Sequence, residues 1–243
     1  MKTQTLFFCL GTLLWLSYCD AFASDTIRIK SFTGIYNSNC YVVSQNGEGI
    51  IIDPGSCDTG ILPYIEENGI RIDYIFCTHS HIDHVLFASE AKSLTGAMTV
   101  LHADDENHRA YYTPERIHEW LQNGTLTKEQ LPLIDQFIHL KYDSLVYDGE
   151  VFTVQNLKIE IIATPGHSKG SICLLVNGHD LFTGDTVYDN NMGNADIDTG
   201  NYNDLVKSIK EKILILDDRC ILYQGHGTPC SLKEIRPRLS AIR

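Results

Sequence analysis

Thr78-His79-Ser80-His81-Ile82-Asp83-His84 places four metal-ligand side chains within six positions. The stretch follows Arg71 to Cys77, an apolar run that reads as a buried strand. Side chains of an extended segment repeat every two residues, so His79 and His81 point to the same side. Asp83 and His84 open the helix predicted over Asp83 to Leu94. A strand end, a short loop and a helix start can therefore bring four ligands together. Neutral imidazole and carboxylate suit zinc, iron or manganese, and a soft thiolate site is not implied.

Three further residues of ligand type lie downstream. His167 sits in Thr164-Pro165-Gly166-His167-Ser168-Lys169-Gly170-Ser171, a turn between two apolar runs. Asp185 follows the run ending Phe182-Thr183-Gly184, and His226 is enclosed by Gly225 and Gly227. Each falls at a predicted strand end beside glycine, where the backbone can turn sharply and approach a site closely. A lone histidine in a turn is usually a surface residue. Seven ligand-type residues, His79, His81, Asp83, His84, His167, Asp185 and His226, recurring at successive strand ends make a metal site the better reading.

Working outward, short β-like runs alternate with turns. Strands are predicted over Ile27–Phe32, Cys40–Ser44, Gly49–Asp53 and Met98–His102, with a helix over Thr59–Asn68 closed by Gly69. Residues 103–142 are polar, rich in Tyr, His, Glu and Lys, and helical in pieces, as expected of segments that cover a site. Strands resume at Val151–Val154, Leu157–Ala163, Ser171–Val176, Asp180–Phe182 and Cys220–Tyr223. Tyr202–Leu216 is amphipathic and helical, and Ser231 with Glu234 forms a capping box for a last helix. Two sheets packed together with helices outside, an α/β sandwich, follow from that order.

The N-terminus has a cationic start, an apolar run of 13 residues from Leu6 to Tyr18, and Ala21-Phe22-Ala23. That pattern predicts a cleaved signal peptide over 1–23 and one domain over 24–243, secreted or periplasmic. The run is short of the roughly 20 residues of a spanning helix, so no stable membrane insertion is expected after cleavage. The net charge of −12 would repel phosphate backbones and argues against a nucleic-acid partner. Beyond residue 23 the cysteines are Cys40, Cys57, Cys77, Cys173, Cys220 and Cys230, none in CxxC spacing, and are expected to be mostly buried thiols.

The HxHxDH, PGHxxGS, TGD and GHG elements, spread from Ile27 to the C-terminus, resemble the metallo-β-lactamase superfamily. Asn39-Cys40-Tyr41, Ile52-Asp53-Pro54-Gly55, Gly184-Asp185-Thr186 and Gly225-His226-Gly227 are most similar to short glyoxalase II-type (hydroxyacylglutathione hydrolase-like) enzymes. The resemblance implies the metallo-β-lactamase fold, an αββα sandwich, and two divalent metal ions, zinc foremost, with iron or manganese as alternatives. His79, His81 and His167 would hold the first, Asp83, His84 and His226 the second, and Asp185 both. It implies hydrolysis of a small-molecule thioester or ester by metal-bound hydroxide, with Asp83 also orienting the nucleophile. A lactonase is the alternative, because Tyr188 follows Asp185 at the spacing of the tyrosine that activates the substrate carbonyl in quorum-signal lactonases. A β-lactamase and a single-iron persulfide dioxygenase rank lower. Two departures stand out: with 17 residues after His226, the C-terminal helical region of long glyoxalase II enzymes is not expected, and Gly193-Asn194-Ala195-Asp196 replaces a Gly-Arg-x-Asp pattern. Without that arginine a glutathione carboxylate loses a bidentate cationic contact, so neutral thioesters or lactones are expected to be comparable substrates.

Overall fold

The computed structural model describes residues 26–55, 60–189, 191–197 and 199–242, with the side chain of Arg109 also left undescribed. The predicted signal peptide and Cys57 lie outside the described residues. The first sheet consists of β1 (Arg28–Thr33), β2 (Asn39–Gln45), β3 (Glu48–Ile52), β4 (Arg71–Phe76), β5 (Met98–His102) and β6 (Ser144–Val146), in that spatial order. The second runs β12-β11-β10-β9-β8-β7, with β7 at Val151–Val154, β8 at Leu157–Ala163, β9 at Ile172–Val176, β10 at Asp180–Gly184, β11 at Ile221–Gln224 and β12 at Cys230–Ser231.

Alternation along each strand explains the layers. Val43, Ile50, Ile52, Phe76 and Val100 face Leu157, Ile159, Ile161, Leu174 and Phe182 in the core between the sheets. The alternating neighbours, Val42, Ile51 and Ile75, turn outward onto α1 (Ile61–Glu67) and α3 (Ala88–Thr95), through Ile61, Ile65 and Ala91. On the far side Cys173, Leu175, Leu181 and Leu222 pack on α6 (Tyr202–Ser208), the π-type turn Ile209–Ile213 and α7 (Leu232–Ser240). Burial on both faces is why Gly49-Ile50-Ile51-Ile52 is a continuous apolar run rather than an alternating one. The order is the αββα sandwich expected from the sequence.

Several elements differ in detail from the expectation. The helix predicted over Asp83–Leu94 is two: α2 (Ile82–Val85) and α3. The break falls at Phe87, whose N–H donates to the Pro54 carbonyl at 2.9 Å while its ring is buried under the first sheet. The segment Tyr202–Leu216 is helical as predicted but widens after Ser208, where Leu214 N–H bonds the Ile209 carbonyl at 2.9 Å. Strands β6 and β12, three and two residues long, were not anticipated, because so few residues carry no periodicity. Residues 103–142 form a 3₁₀ segment (Ala103–Tyr111), α4 (Pro114–Gln122) and α5 (Leu131–Ile138) over the loop after β4. Their own core joins Tyr112, Leu126, Ile134 and Phe137 to Cys77, Ile82 and Leu86. Five described cysteines are free thiols, and all but Cys230 are buried. Among the described residues no helix is long and apolar enough to cross a membrane.

Candidate metal centre

Strand ends from both sheets deliver the seven predicted ligands to one place. β4 leads into His79 and His81, and α2 supplies Asp83 and His84. The turn after β8 supplies His167. Parallel pairing of β10 with β11, with Gly184 opposite Gln224, brings Asp185 and His226 out at the same edge. Gly225 N–H donates to the Gly184 carbonyl at 2.8 Å and holds the two ends together.

The side chains converge closely. His81 Nδ1 lies 2.9 Å from His167 Nε2, which is 3.4 Å from Asp185 Oδ2. His84 Nε2 is 3.4 Å from both Asp83 Oδ2 and Asp185 Oδ1. His226 Nε2 stands 3.2 Å from Asp83 Oδ2 and 3.6 Å from Asp185 Oδ2. Ligand atoms group as His79/His81/His167, His79/His84/Asp185 and Asp83/His84/His226, each group within 4.8 Å. Tyr188 sits at the margin, hydrogen-bonded to Asp185 and with its ring 6.0 Å from that of His226.

A second layer fixes which nitrogen faces inward. Asp53 Oδ1 accepts the Thr78 backbone N–H and Oδ2 accepts the Thr78 hydroxyl, both at 2.7 Å. Having donated its proton there, Thr78 Oγ1 accepts from His79 Nδ1 at 3.1 Å. His84 Nδ1 donates to Asp53 Oδ2 at 3.0 Å, and His167 Nδ1 donates to the Asn194 carbonyl at 2.7 Å. All three histidines therefore turn Nε2 to the centre, as second-layer acceptors do for metal-binding imidazoles.

Asp105 ties two ligand loops together. Its carboxylate accepts Ser80 N–H (3.0 Å), the hydroxyls of Ser80 (3.1 Å) and Ser168 (2.8 Å), and Gly170 N–H (2.6 Å). Sequence reading missed Thr78 and Asp105 as parts of the site. Asp53 carried a signal in its Asp-Pro-Gly turn at a strand end; Asp105, one of three consecutive acidic residues, carried none that separates it from a solvated run. The structure also redefines Asn194: its backbone serves His167, while its side-chain oxygen accepts Asp196 N–H at 2.9 Å within its own turn.

Electrostatics divide the cluster. Burial, reinforced by the neighbouring histidines, lowers the pKa of His79 and His81 well below the usual value. Burial lowers His167 too, against the pull of Asp185. Burial would also depress His84, but Asp83, Asp185 and Asp53 outweigh it and raise this histidine. The Asp83 carboxyl is held below its usual range, because His84 and His226 overcome the effect of burial.

Whether this set fits a metal ion is tested by its orphaned atoms. His79 Nε2, His84 Nε2 and Asp185 Oδ1 are buried without a hydrogen-bond partner. Such atoms are costly unless a cation satisfies them. Gly225 completes the cradle: a Cβ there would collide with Asp185 Oδ1 and lie 2.8 Å from His84 Cε1. The donor set, imidazole and carboxylate, fits a divalent cation of the zinc, iron or manganese type.

Residues 33–226 match the sequence signature of the Metallo-beta-lactamase superfamily. An uncharacterised protein of Mycobacterium tuberculosis is 30% identical over 211 residues, spanning 82% of this chain and 90% of that one. The hydroxyacylglutathione hydrolase GloC of Haemophilus influenzae is 29% identical over 195 residues, 79% of this chain and 87% of that one. The crystal structure of BLEG-1, a B3 metallo-β-lactamase, is similar in fold, with a TM-score of 0.73 at 23% identity, covering 86% of this chain and 97% of that one.

Proposed function

The chain belongs to the metallo-β-lactamase superfamily, and from that membership we propose that it is a two-metal hydrolase cleaving a thioester or ester of a small molecule. The observation that carries the reading is the convergence of His79, His81, Asp83, His84, His167, Asp185 and His226 around orphaned inward-facing atoms. The hydroxyacylglutathione hydrolase among its relatives supports the substrate class.

In this reading His79, His81 and His167 would hold one ion and Asp83, His84 and His226 the other, with Asp185 between the two sets. Divalent ions held there would supply a nucleophile from water at neutral pH and polarise the substrate carbonyl. The protein does the rest. Asp53 and the Asn194 carbonyl fix the tautomers of His79, His84 and His167, so the ligands need no reorganisation. Asp83 holds a carboxylate at the cleft mouth, where it orients the attacking water. Burial, and then Asp185, push the Tyr188 hydroxyl well above its usual pKa, so it stays a neutral donor for the carbonyl oxygen. That role of Tyr188 is also what favours lactones as a second substrate class.

Glutathione itself is poorly served. The Asn194 side chain is engaged in its own turn, and Lys169 Nζ, 3.4 Å from Asp104, is already faced by a carboxylate. The deciding experiment is a hydrolysis screen of the metal-loaded protein against thioesters, lactones and β-lactams, with metal counted by mass spectrometry. Two ions per chain and thioester or lactone turnover are expected. One iron per chain and no hydrolysis would support a persulfide dioxygenase instead. A preference of about 100-fold for a glutathione thioester over a neutral thioester of the same acyl group, about 2.7 kcal/mol, would overturn the reading of Asn194.

A further inference from the structure

Beside the ligands lies a cleft of about 220 Å³, lined by His81 and Asp83 on the metal side and by Tyr111, Tyr112, Trp120 and Ile197 on the others. We propose that this cleft binds the acyl group of the substrate and selects one that is uncharged and aromatic, an inference that rests on the hydrolase reading above.

Three observations carry it. The first is position: the cleft shares His81 and Asp83 with the metal centre, so a group seated in it projects its carbonyl toward the ligands. The second is size. A whole small-molecule site typically measures about 300–1,000 Å³, so this cleft accepts one substituent and leaves the remainder of the substrate outside. The third is lining. Among the described residues that form it none is a lysine or arginine, and Arg116, beside its wall, is already engaged over the Tyr111 ring. A charged substituent lying against Tyr111, Tyr112, Trp120 and Ile197 would lose hydration that these walls do not replace.

The aromatic walls are held in place before any ligand arrives. Tyr112 donates its hydroxyl to the Ser80 carbonyl at 2.9 Å, which anchors the wall to the loop bearing His79 and His81. Its ring meets Phe137 edge-on at 5.3 Å and Trp120 at 5.8 Å. Tyr111 stacks on His108 at 5.2 Å and carries the Arg116 guanidinium 3.5 Å from its ring centre. A planar acyl substituent would gain ring–ring contacts from such walls that an acetyl group cannot make.

The test compares S-phenylacetyl and S-acetyl thioesters of one neutral thiol. The metal-loaded enzyme should show kcat/KM at least about tenfold higher for phenylacetyl. Trp120→Ala and Ile197→Ala should each erode that preference, by lowering kcat/KM for phenylacetyl more than for acetyl; Ile197, on a loop, guards against a folding defect in α4. Trp120 also gives a readout free of turnover. Phenylacetate, and not acetate, should shift the tryptophan fluorescence of the protein, and Trp120→Phe should abolish the shift. Equal kcat/KM for the two thioesters, or a preference untouched by both variants, would overturn the acyl cleft and leave the hydrolase reading standing. A Trp120 shift in a protein that hydrolyses no thioester or ester would leave the cleft as a binding site and overturn the hydrolase reading. Absence of both would overturn both.

Discussion

Tyr188 and Gly225 act on the same cluster in different ways, and substitution separates them. Tyr188 offers a hydroxyl that burial and Asp185 keep protonated. Tyr188→Phe removes the donor, and with it the hydrogen bond to Asp185, while leaving all seven candidate ligands in place. The expected result is a kcat lower by about 10–100-fold with metal content unchanged, read from steady-state kinetics and metal analysis together. Gly225→Ala does the reverse. The added methyl presses on Asp185 Oδ1 and His84 Cε1, so metal affinity should fall by about 10–100-fold or more, as for other changes that displace ligands indirectly. Titration with a competing chelator measures it; unchanged metal affinity would mean that the cradle is not where the ions sit.

At the level of elements, one surface carboxylate fastens the approach to β6 onto α3 and β5. Asp143, just before β6, accepts Lys92 Nζ from α3 at 2.7 Å, and Thr99 N–H and hydroxyl from β5 at 2.8 and 3.0 Å. Burial would raise its pKa, but the bonds from Lys92 and Thr99 outweigh burial and hold it below the usual carboxylate value. A depressed folded pKa stabilises above the unfolded value, near 3.9, and that contribution is lost as pH falls through the folded value. Asp143→Asn should therefore cost about 1 kcal/mol at pH 7, discounted for solvent screening, with the gap to wild type closing below about pH 4. Urea unfolding at pH 7 and pH 3 checks this; a gap that stays constant with pH would show that the charge is irrelevant. Asp105 plays the corresponding part inside the site, joining the loop of His81 to the loop of His167.

For the molecule as a whole, the metal ions and the fold should be thermodynamically linked. The ligands come from both sheets, and a ligand that binds only the folded state stabilises it by about 2.7 kcal/mol at 100 times its Kd. For a domain of this size each kcal/mol corresponds to roughly 2–4 °C. Removing metal with a chelator should then lower Tm by about 5–10 °C, and returning zinc, iron or manganese should restore it. Thermal unfolding with and without chelator is the measurement. An unchanged Tm, with loss of metal verified, would indicate ions held at the surface rather than between the sheets.

The chain's local patterns were enough to pick out the residues that converge at the candidate metal centre, and the layers. His79, His81, Asp83 and His84 are legible because a strand end and a helix start put them within one short stretch, and His167, Asp185 and His226 because glycine marks each of their turns. The runs around Ile50–Ile52 and Ile159–Ile161 disclosed strands for the same reason: side-chain periodicity is a property of the segment itself. What only the tertiary structure decided depends on residues far apart in the chain. The break between α2 and α3 rests on the bond from Phe87 to Pro54, and the tautomer of His84 on Asp53, 31 residues away. Strand β6 exists because β5 offers it an edge, with Ser144 opposite Val100. The use of the Asn194 backbone by His167, and the meeting of Trp120 with Ile197 across one cleft, are likewise set by packing. Such partnerships form when the sheets close on each other, and a hydrogen bond or contact between distant segments leaves no periodic trace in either one.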